Sequence, residues 1–164
     1  MQKKIASQKA FTLLEIMVAM VIFAVGMLGL AGIQALSLEN SHSSYSRSQA
    51  ILLAYDMVDR MKANPTAITY AIAVDAAAAV PANNKKCDAN ACNDAEMAAF
   101  DKWQWKVSLP GLLLSGQGQI VYDAVDDDYT ITVHWDEDRT GATGTTCPPA
   151  VATDLRCFQL MTQL

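Results

Sequence analysis

The feature that most constrains this chain is an apolar run near its N-terminus. Residues 11–33 read FTLLEIMVAMVIFAVGMLGLAGI and hold one charged residue, Glu15. As an α-helix this run is about 34 Å long, which is enough to cross the hydrocarbon core of a membrane. A cleavable secretory signal has a shorter apolar core, of about 7–15 residues, followed by a small-residue cleavage site. The run therefore predicts a membrane helix, rather than a secretory signal or the core helix of a soluble domain.

A polar, basic segment precedes this run. Residues 1–10, MQKKIASQKA, hold three lysines. Positive residues beside a membrane helix favour the cytoplasmic side of the membrane. We therefore predict a leader at residues 1–10 with a cytoplasmic N-terminus, a transmembrane helix at residues 11–33, and a remainder that lies outside the cytoplasm.

The chain has four cysteines, all in its C-terminal half: Cys87, Cys92, Cys147 and Cys157. An even number of cysteines outside the cytoplasm predicts two disulfides. Sequence alone leaves three connectivities open, and short loops favour Cys87–Cys92 and Cys147–Cys157. A structural zinc site is the alternative, but the spacings C-x4-C and C-x9-C fit structural zinc sites poorly.

The predicted helix continues beyond the membrane run. No proline or glycine occurs from Gln34 to Lys62, and Asn64-Pro65 ends the pattern, because the residue before proline avoids the helical region. Residues 34–64 therefore form the second, amphipathic half of one helix of about 52 residues. Its apolar stripe consists of Ala50, Ile51, Ala54, Met57, Val58 and Met61.

Residues 65–164 form the predicted head. Residues 66–93 are rich in alanine and predict a connector with little regular structure. The apolar residues of Asp94–Val107 fit helical spacing, and those from Trp103 to Leu109 also fit the alternation of a strand; we favour a short helix, ended by Pro110-Gly111. Three segments then predict strands: Gln119–Val125, Tyr129–Trp135 and Arg156–Thr162.

The second of these strands shows the clearest alternation. Its apolar residues are Tyr129, Ile131, Val133 and Trp135, and its polar face is predicted to carry Thr130, Thr132 and His134. In the third strand Phe158 and Leu160 are predicted to face inward. An antiparallel sheet with one apolar face needs a cover, and the amphipathic stripe of the long helix provides one. The predicted fold class is therefore α+β, with a long N-terminal helix packed on a small antiparallel sheet.

The residues that usually carry chemistry form no catalytic constellation. The two histidines, His42 and His134, are isolated in the sequence, and no glycine-rich phosphate loop follows a strand. The segment Asp136-x-Asp138-x-Thr140-Gly141 begins like a calcium loop, but its twelfth position is Cys147 instead of an acid, so a solvated acidic turn is predicted. The net charge of −5 argues against a general nucleic-acid-binding surface. We therefore expect no enzymatic activity, no cofactor and no metal.

The segment Lys9-Ala10-Phe11-Thr12-Leu13-Leu14-Glu15 resembles the cleavage site of type IV prepilins. Phe11 and Glu15 match the family pattern, whereas Ala10 stands where the family usually has glycine. The resemblance implies that prepilin peptidase cleaves between Ala10 and Phe11 and that the new N-terminal nitrogen of Phe11 is methylated. It also implies that Glu15 neutralises this amine in the same chain or in a neighbour, which fixes the register of subunits during assembly.

Two further regions resemble the PilV-type minor pilins. They are the helix end Arg60–Pro65, and a head region with Leu109-Pro110-Gly111, Gly116, Gly118 and Ile131–Trp135. The resemblance implies a type IV pilin-like fold and a minor pilin that helps to initiate the pilus in a tip complex. The implied partners are other minor pilins, the major pilin, prepilin peptidase, the inner-membrane assembly platform and a large tip adhesin. The implied location is the inner membrane and then the pilus, with roles in twitching motility and adhesion.

Two alternatives remain open from the sequence. A minor pseudopilin of type II secretion has the same leader and the same helix. A single-pass membrane receptor or enzyme domain is an alternative of another class. The missing catalytic groups argue against an enzyme, and a receptor has no need of a phenylalanine followed by an acid inside its membrane helix.

Overall fold

The computed structural model describes residues 12–66, 70–72 and 86–164. Its elements, in chain order, are α1 (Leu13–Ala63), α2 (Asp94–Leu112), β1 (Gln117–Asp123), β2 (Asp128–Trp135) and β3 (Arg156–Thr162). The chain divides into two compact units, residues 1–42 and residues 43–164, each of which is described by itself. The predicted leader, including Ala10, and Phe11 lie outside the described residues.

Within the first unit, the described chain is almost entirely the first part of α1. Its side chains are exposed from Leu13 to His42. An 18-residue window of α1 has a mean hydropathy of 2.6 and none of it is buried within the chain. Among the described residues, α1 is the one helix whose length and composition are sufficient for crossing a membrane.

The second unit begins with the remainder of α1, which ends at Ala63, one residue before the predicted stop. The Asn64 side chain then donates a hydrogen bond of 2.8 Å from Nδ2 to the carbonyl oxygen of Asp94. Arg60 and Lys62 lie in the last turn, where positive charge interacts favourably with the helix dipole. The end of α1 is therefore fixed to the start of α2.

Helix α2 begins with a capping box. The Asn93 side chain accepts a hydrogen bond from the Glu96 N–H, and the Glu96 carboxylate accepts one from the Asn93 N–H. The prediction that Pro110-Gly111 ends this helix is wrong, because α2 continues to Leu112. A proline removes the hydrogen bond of its own amide and crowds the carbonyl four residues earlier, and so close to a helix end these costs affect a single turn. The Leu113 N–H closes this turn on the Leu109 carbonyl, at 2.9 Å.

The three strands form one antiparallel sheet in the order β1-β2-β3. Ile131 of β2 lies opposite Ile120 of β1 and Leu160 of β3. β1 begins two residues before the predicted Gln119 and ends before the predicted Val125, whereas β3 has its predicted bounds. The outer edge of β1 is paired with Ile72, whose N–H and C=O both bond Ile120, at 2.8 and 2.9 Å.

The core of the second unit lies between the two helices and one face of the sheet. Trp105 of α2 is fully buried, and its indole N–H donates a hydrogen bond of 2.8 Å to the Leu53 carbonyl of α1. The same ring lies directly against Gly118 of β1. The buried side chains of this part of α1 are Ser46, Ala50, Leu53, Ala54, Met57, Val58 and Met61. The predicted α+β fold, with a long helix on a small antiparallel sheet, is confirmed.

The other face of the sheet differs from its prediction. His134 was expected on a polar, accessible face, but its side chain is fully buried. Its cross-strand neighbour on β3 is Cys157. A disulfide joins Cys157 to Cys147, which lies in the loop before β3. Leu155 of the same loop is also fully buried. A loop therefore covers this end of the sheet, and alternation along β2 alone does not reveal that cover.

Candidate functional site

The first part of α1 presents apolar side chains on all sides. Their exposed fractions between Leu13 and Ile33 range from 50% for Ile16 to 77% for Leu13. A continuous apolar surface of this kind marks a contact with a membrane or with other proteins. This part of α1 is therefore a candidate site of association with a membrane or with other proteins, through apolar contact and not through reactive groups.

Glu15 is the acid in the first turn of this helix. Its N–H donates to the Thr12 carbonyl at 3.1 Å and lies 3.3 Å from the Thr12 hydroxyl oxygen. Thr12 therefore caps the helix, and Thr12-x-x-Glu15 has the spacing of a capping box, a local role that our sequence analysis missed. A carboxylate in this turn also interacts favourably with the helix dipole.

The Glu15 carboxylate has no ion-pair partner among the described residues, and its neighbours in the chain, Leu14 and Ile16, are apolar. Phe11, whose amine is the expected partner after cleavage, lies outside the part of the chain that the structure describes. Of the three predicted processing and assembly residues, the structure therefore places only Glu15. It places this carboxylate on an exposed and otherwise apolar surface, so the charge needs a partner once that surface is buried against other molecules.

Three glycines, Gly26, Gly29 and Gly32, lie within the same apolar stretch. A methyl group added at any of them meets no other atom within 4 Å. Packing within the chain therefore does not require glycine at these positions. Small residues allow the backbones of neighbouring membrane helices to approach closely, so this strip offers a close-contact surface.

In the second unit, charged groups link the end of α1 to α2. Arg60 contacts Asp56 at 2.9 Å, Asp101 at 3.4 Å and the Gln104 amide oxygen at 2.6 Å. The Tyr70 hydroxyl donates a hydrogen bond of 3.1 Å to Asp101. Burial raises the pKa of Asp101, although the Tyr70 hydrogen bond and the Arg60 charge oppose the change, and burial is also the main cause that raises the pKa of Tyr70 to about 12.

This cluster holds two elements together and contains no activated nucleophile. Its arginine satisfies two carboxylates, and its tyrosine stays protonated at neutral pH as a hydrogen-bond donor. The arrangement fits a structural role at the helix end. It does not supply the pair of base and nucleophile that covalent catalysis requires.

The two disulfides are Cys87–Cys92 and Cys147–Cys157, with Cα–Cα distances of 5.6 and 5.9 Å. They are the pairs with the shortest loops. Because the four cysteines of the sequence are all used in these bonds, none offers a thiolate to zinc.

The acidic turn after β2 is organised by hydrogen bonds within the chain. The Asp136 carboxylate accepts the N–H groups of Thr140 and Gly141, at 3.2 and 2.8 Å. Asp138 lies 3.5 Å from the Arg156 guanidinium. No group of three or more metal-binding side chains occurs in the ranges that the structure describes. The carboxylates of this turn therefore bind backbone amides and an arginine.

Two segments of the chain match known protein families. Residues 5–31 match the prokaryotic N-terminal methylation motif, and residues 32–103 match the Tt1218-like family, described as type IV pilin Tt1218. No curated protein and no solved structure matches the chain. The matched segments adjoin each other and end within α2, so all three strands lie beyond them.

Proposed function

We propose, from the type IV pilin and prepilin family that these two matches support, that this chain is a minor pilin of PilV type. A pilin is a structural subunit, so its work is assembly instead of catalysis. The observation that carries the proposal is the first part of α1, which is apolar and exposed on all sides and has one acid, Glu15, in its first turn.

The apolar helix accounts for both stages of such a role. In the inner membrane its side chains contact lipid, and its length suffices to cross the bilayer. When the subunit leaves the membrane, these side chains need other apolar partners, since their exposure to water costs about 25 cal/mol per Å². Helices of neighbouring subunits provide such partners, which drives the formation of a bundle at the centre of the filament.

Processing sets the register of this bundle. Prepilin peptidase cleaves between Ala10 and Phe11 and methylates the new N-terminal nitrogen. The resulting positive charge pairs with Glu15, four residues further along the same helix or on a neighbouring helix. A charge in an apolar bundle is costly unless it is paired, so subunits that place the two groups together are favoured.

The head, residues 65–164 with its two disulfides, presents the surface by which the subunit is distinguished from its neighbours. Its partners are other minor pilins, the major pilin and a large tip adhesin, and the assembly platform lies in the inner membrane. The helix end Arg60–Pro65 and the strand segment Ile131–Trp135 support the PilV-type role in initiating the pilus. Twitching motility and adhesion follow from that role.

Deletion of the gene tests this proposal. We expect few or no surface pili by electron microscopy and no twitching, with unchanged activity of secreted exoenzymes in the medium. Blocking pilus retraction in the deletion strain should restore some filaments, because initiation is inefficient without a priming subunit but not impossible. Normal piliation together with lost exoenzyme secretion identifies a pseudopilin of type II secretion instead.

A further inference from the structure

The loop between β2 and β3 encloses His134 on the face of the sheet opposite to the core. The ring is fully buried, and neither of its nitrogens has a hydrogen-bond partner in the part of the chain that the structure describes. Ala142 and Leu155 of the loop are buried as well. A neutral imidazole is tolerated in such a place, whereas an imidazolium is an unpaired buried charge. Protonation of His134 therefore requires that the loop first admits water.

Two kinds of bond hold this loop. Backbone hydrogen bonds join loop residues to one another: the Gly144 N–H donates to the Thr153 carbonyl at 2.9 Å, and the Gly144 carbonyl accepts the Leu155 N–H at 2.7 Å. These two bonds shape the loop, but neither of them reaches a strand. The disulfide between Cys147 and Cys157 does reach one, because Cys157 lies in β3 directly beside the buried histidine.

In the described structure no carboxylate pairs with His134. The residues beside it on the two neighbouring strands, Gln117 and Cys157, carry no charge. The charged residues of the loop and of the position that follows it are Asp136, Glu137, Asp138, Arg139, Asp154 and Arg156. The four carboxylates among them bind backbone amides or the Arg156 guanidinium. Burial is accordingly the cause that lowers the pKa of the ring.

We propose that the Cys147–Cys157 bond is a latch that keeps His134 enclosed and uncharged, and that its reduction by a dithiol lets the loop open and the ring take up a proton in mild acid. In this step the dithiol supplies two electrons and two protons, and the S–S bond breaks. The products are two cysteine thiols and the disulfide form of the reductant. Opening and protonation then favour each other, because the charged ring is stable only in water. The proposal does not depend on the pilin assignment.

Deuterium exchange at the imidazole C2 position, followed by mass spectrometry of peptides, tests the latch in the full chain held in membranes. The exchange reports the access of water to each ring, and the chain has two histidines, His134 and the exposed His42. Cys147→Ser together with Cys157→Ser should raise the His134 rate at least about tenfold, because the loop then opens locally. The His42 rate should stay the same.

The matched control removes the other disulfide, by Cys87→Ser together with Cys92→Ser. It should leave the His134 rate unchanged, because that bond closes a loop before α2. Treatment of the unaltered chain with dithiothreitol, a dithiol, should reproduce the fast His134 exchange, while amide exchange of α2 stays slow. An unchanged His134 rate after loss of the Cys147–Cys157 bond, an equal rise in the control variant, or loss of protection throughout α2 overturns the latch.

The coupling to protonation is tested on the reduced chain. After correction for intrinsic exchange rates, amides of the loop should open about tenfold more often at pH 5 than at pH 7, because an exposed imidazole with a pKa of about 6.5 is charged only at the lower pH. His134→Leu removes the titrating group and should abolish this difference. A difference that persists in His134→Leu, or no difference in the chain with histidine, contradicts the coupling.

Discussion

Two ionisable side chains, the exposed Glu15 and the buried His134, have no ion-pair partner among the described residues. A charged group must either acquire a partner or lose its charge when it is buried. We expect Glu15 to acquire a partner and His134 to stay uncharged. Glu15 lies on an open surface that can bring a partner, whereas His134 is enclosed, and burial lowers its pKa so that it stays neutral.

The Glu15 carboxylate should matter for assembly rather than for folding. We expect Glu15→Gln to insert into the membrane normally but to enter pili at least tenfold less often, because breaking a buried ion pair costs about 3 kcal/mol or more. The matched control is Glu39→Gln, which neutralises the next acid along α1. Immunoblots of sheared pili measure the incorporated protein, and immunoblots of membranes measure the inserted protein. Equal incorporation of the two variants into pili contradicts the pairing with the Phe11 amine.

His134 should make the stability of the head depend on pH. Both of its ring nitrogens are buried without a hydrogen-bond partner in the described structure. Because burial lowers its pKa in the folded state, the unfolded chain takes up a proton first as the pH falls below about 6.5. The free energy of unfolding should therefore fall toward acidic pH, by at most about 1.4 kcal/mol per pH unit for one proton.

Denaturant unfolding between pH 7 and pH 5, followed by tryptophan fluorescence, measures this slope. His134→Leu removes the titrating group, and the difference between the two pH profiles isolates the contribution of His134 from those of the carboxylates. We expect the variant to have a flatter profile. Parallel profiles of variant and unaltered chain show that His134 is protonated as readily in the fold as outside it.

In the second unit, α2 connects α1 to the sheet. Its Trp105 bonds the α1 backbone and fills the space above Gly118 of β1. Its start is tied to the end of α1 through Asn64, and its middle through Arg60. The position of the long helix on the sheet therefore depends on α2, although sequence analysis predicted α2 only as a short helix.

The effect of a substitution at Gly118 on stability reports how tightly the contact between Trp105 and β1 is packed. A methyl group added there lies within the contact distance of the Trp105 ring and of Leu109. We expect Gly118→Ala to lower the free energy of unfolding by about 1–3 kcal/mol, as is typical of an overfilled core. Gly111→Ala is the control, because a methyl group there meets no atom within 4 Å and alanine suits a helix better, by about 1 kcal/mol. Denaturant unfolding of both variants measures the two changes in the free energy of unfolding. Equal changes contradict tight packing at Gly118.

For the whole molecule, the pilin proposal requires a change of the N-terminus. Mass spectrometry of the mature protein should find a chain that begins at Phe11 with one added methyl group. Ala10→Leu should block cleavage, because the site needs a small residue before Phe11, and Ala6→Leu is the control within the same leader. An intact leader on the unaltered protein, in cells with active prepilin peptidase, contradicts the pilin proposal.

Much of this fold follows from periodicity. The long helix, the three strands and the apolar stripe from Ala50 to Met61 result from local patterns whose burial needs are complementary. Leu53 was not part of the predicted stripe, but it is buried, and its carbonyl accepts a hydrogen bond from the indole of Trp105, 52 positions further along the chain. The two residues of α2 that follow Pro110 likewise depend on the hydrogen bond from the Leu113 N–H to the Leu109 carbonyl, which no helix-stop rule includes.

The burial of His134 shows the limit of such patterns. Alternation along β2 separates its two faces correctly but assumes that one face is open to water. The loop between β2 and β3 covers that face, and the bond between Cys147 and Cys157 holds the loop to the sheet. For the candidate site, the sequence marks Glu15 through its charge, whereas the capping role of Thr12 emerges from the backbone of the first turn.

The contact between Trp105 and Gly118 also constrains how this chain can vary over evolution. A side chain at position 118 needs space that the Trp105 ring and the Leu109 side chain now fill, and a smaller residue at position 105 leaves a void beside position 118. Single substitutions at either position are therefore selected against, while a paired exchange is tolerated. Related heads should accordingly show covariation between these two positions, and Leu53, which contributes only its backbone carbonyl to the indole bond, should vary independently of both.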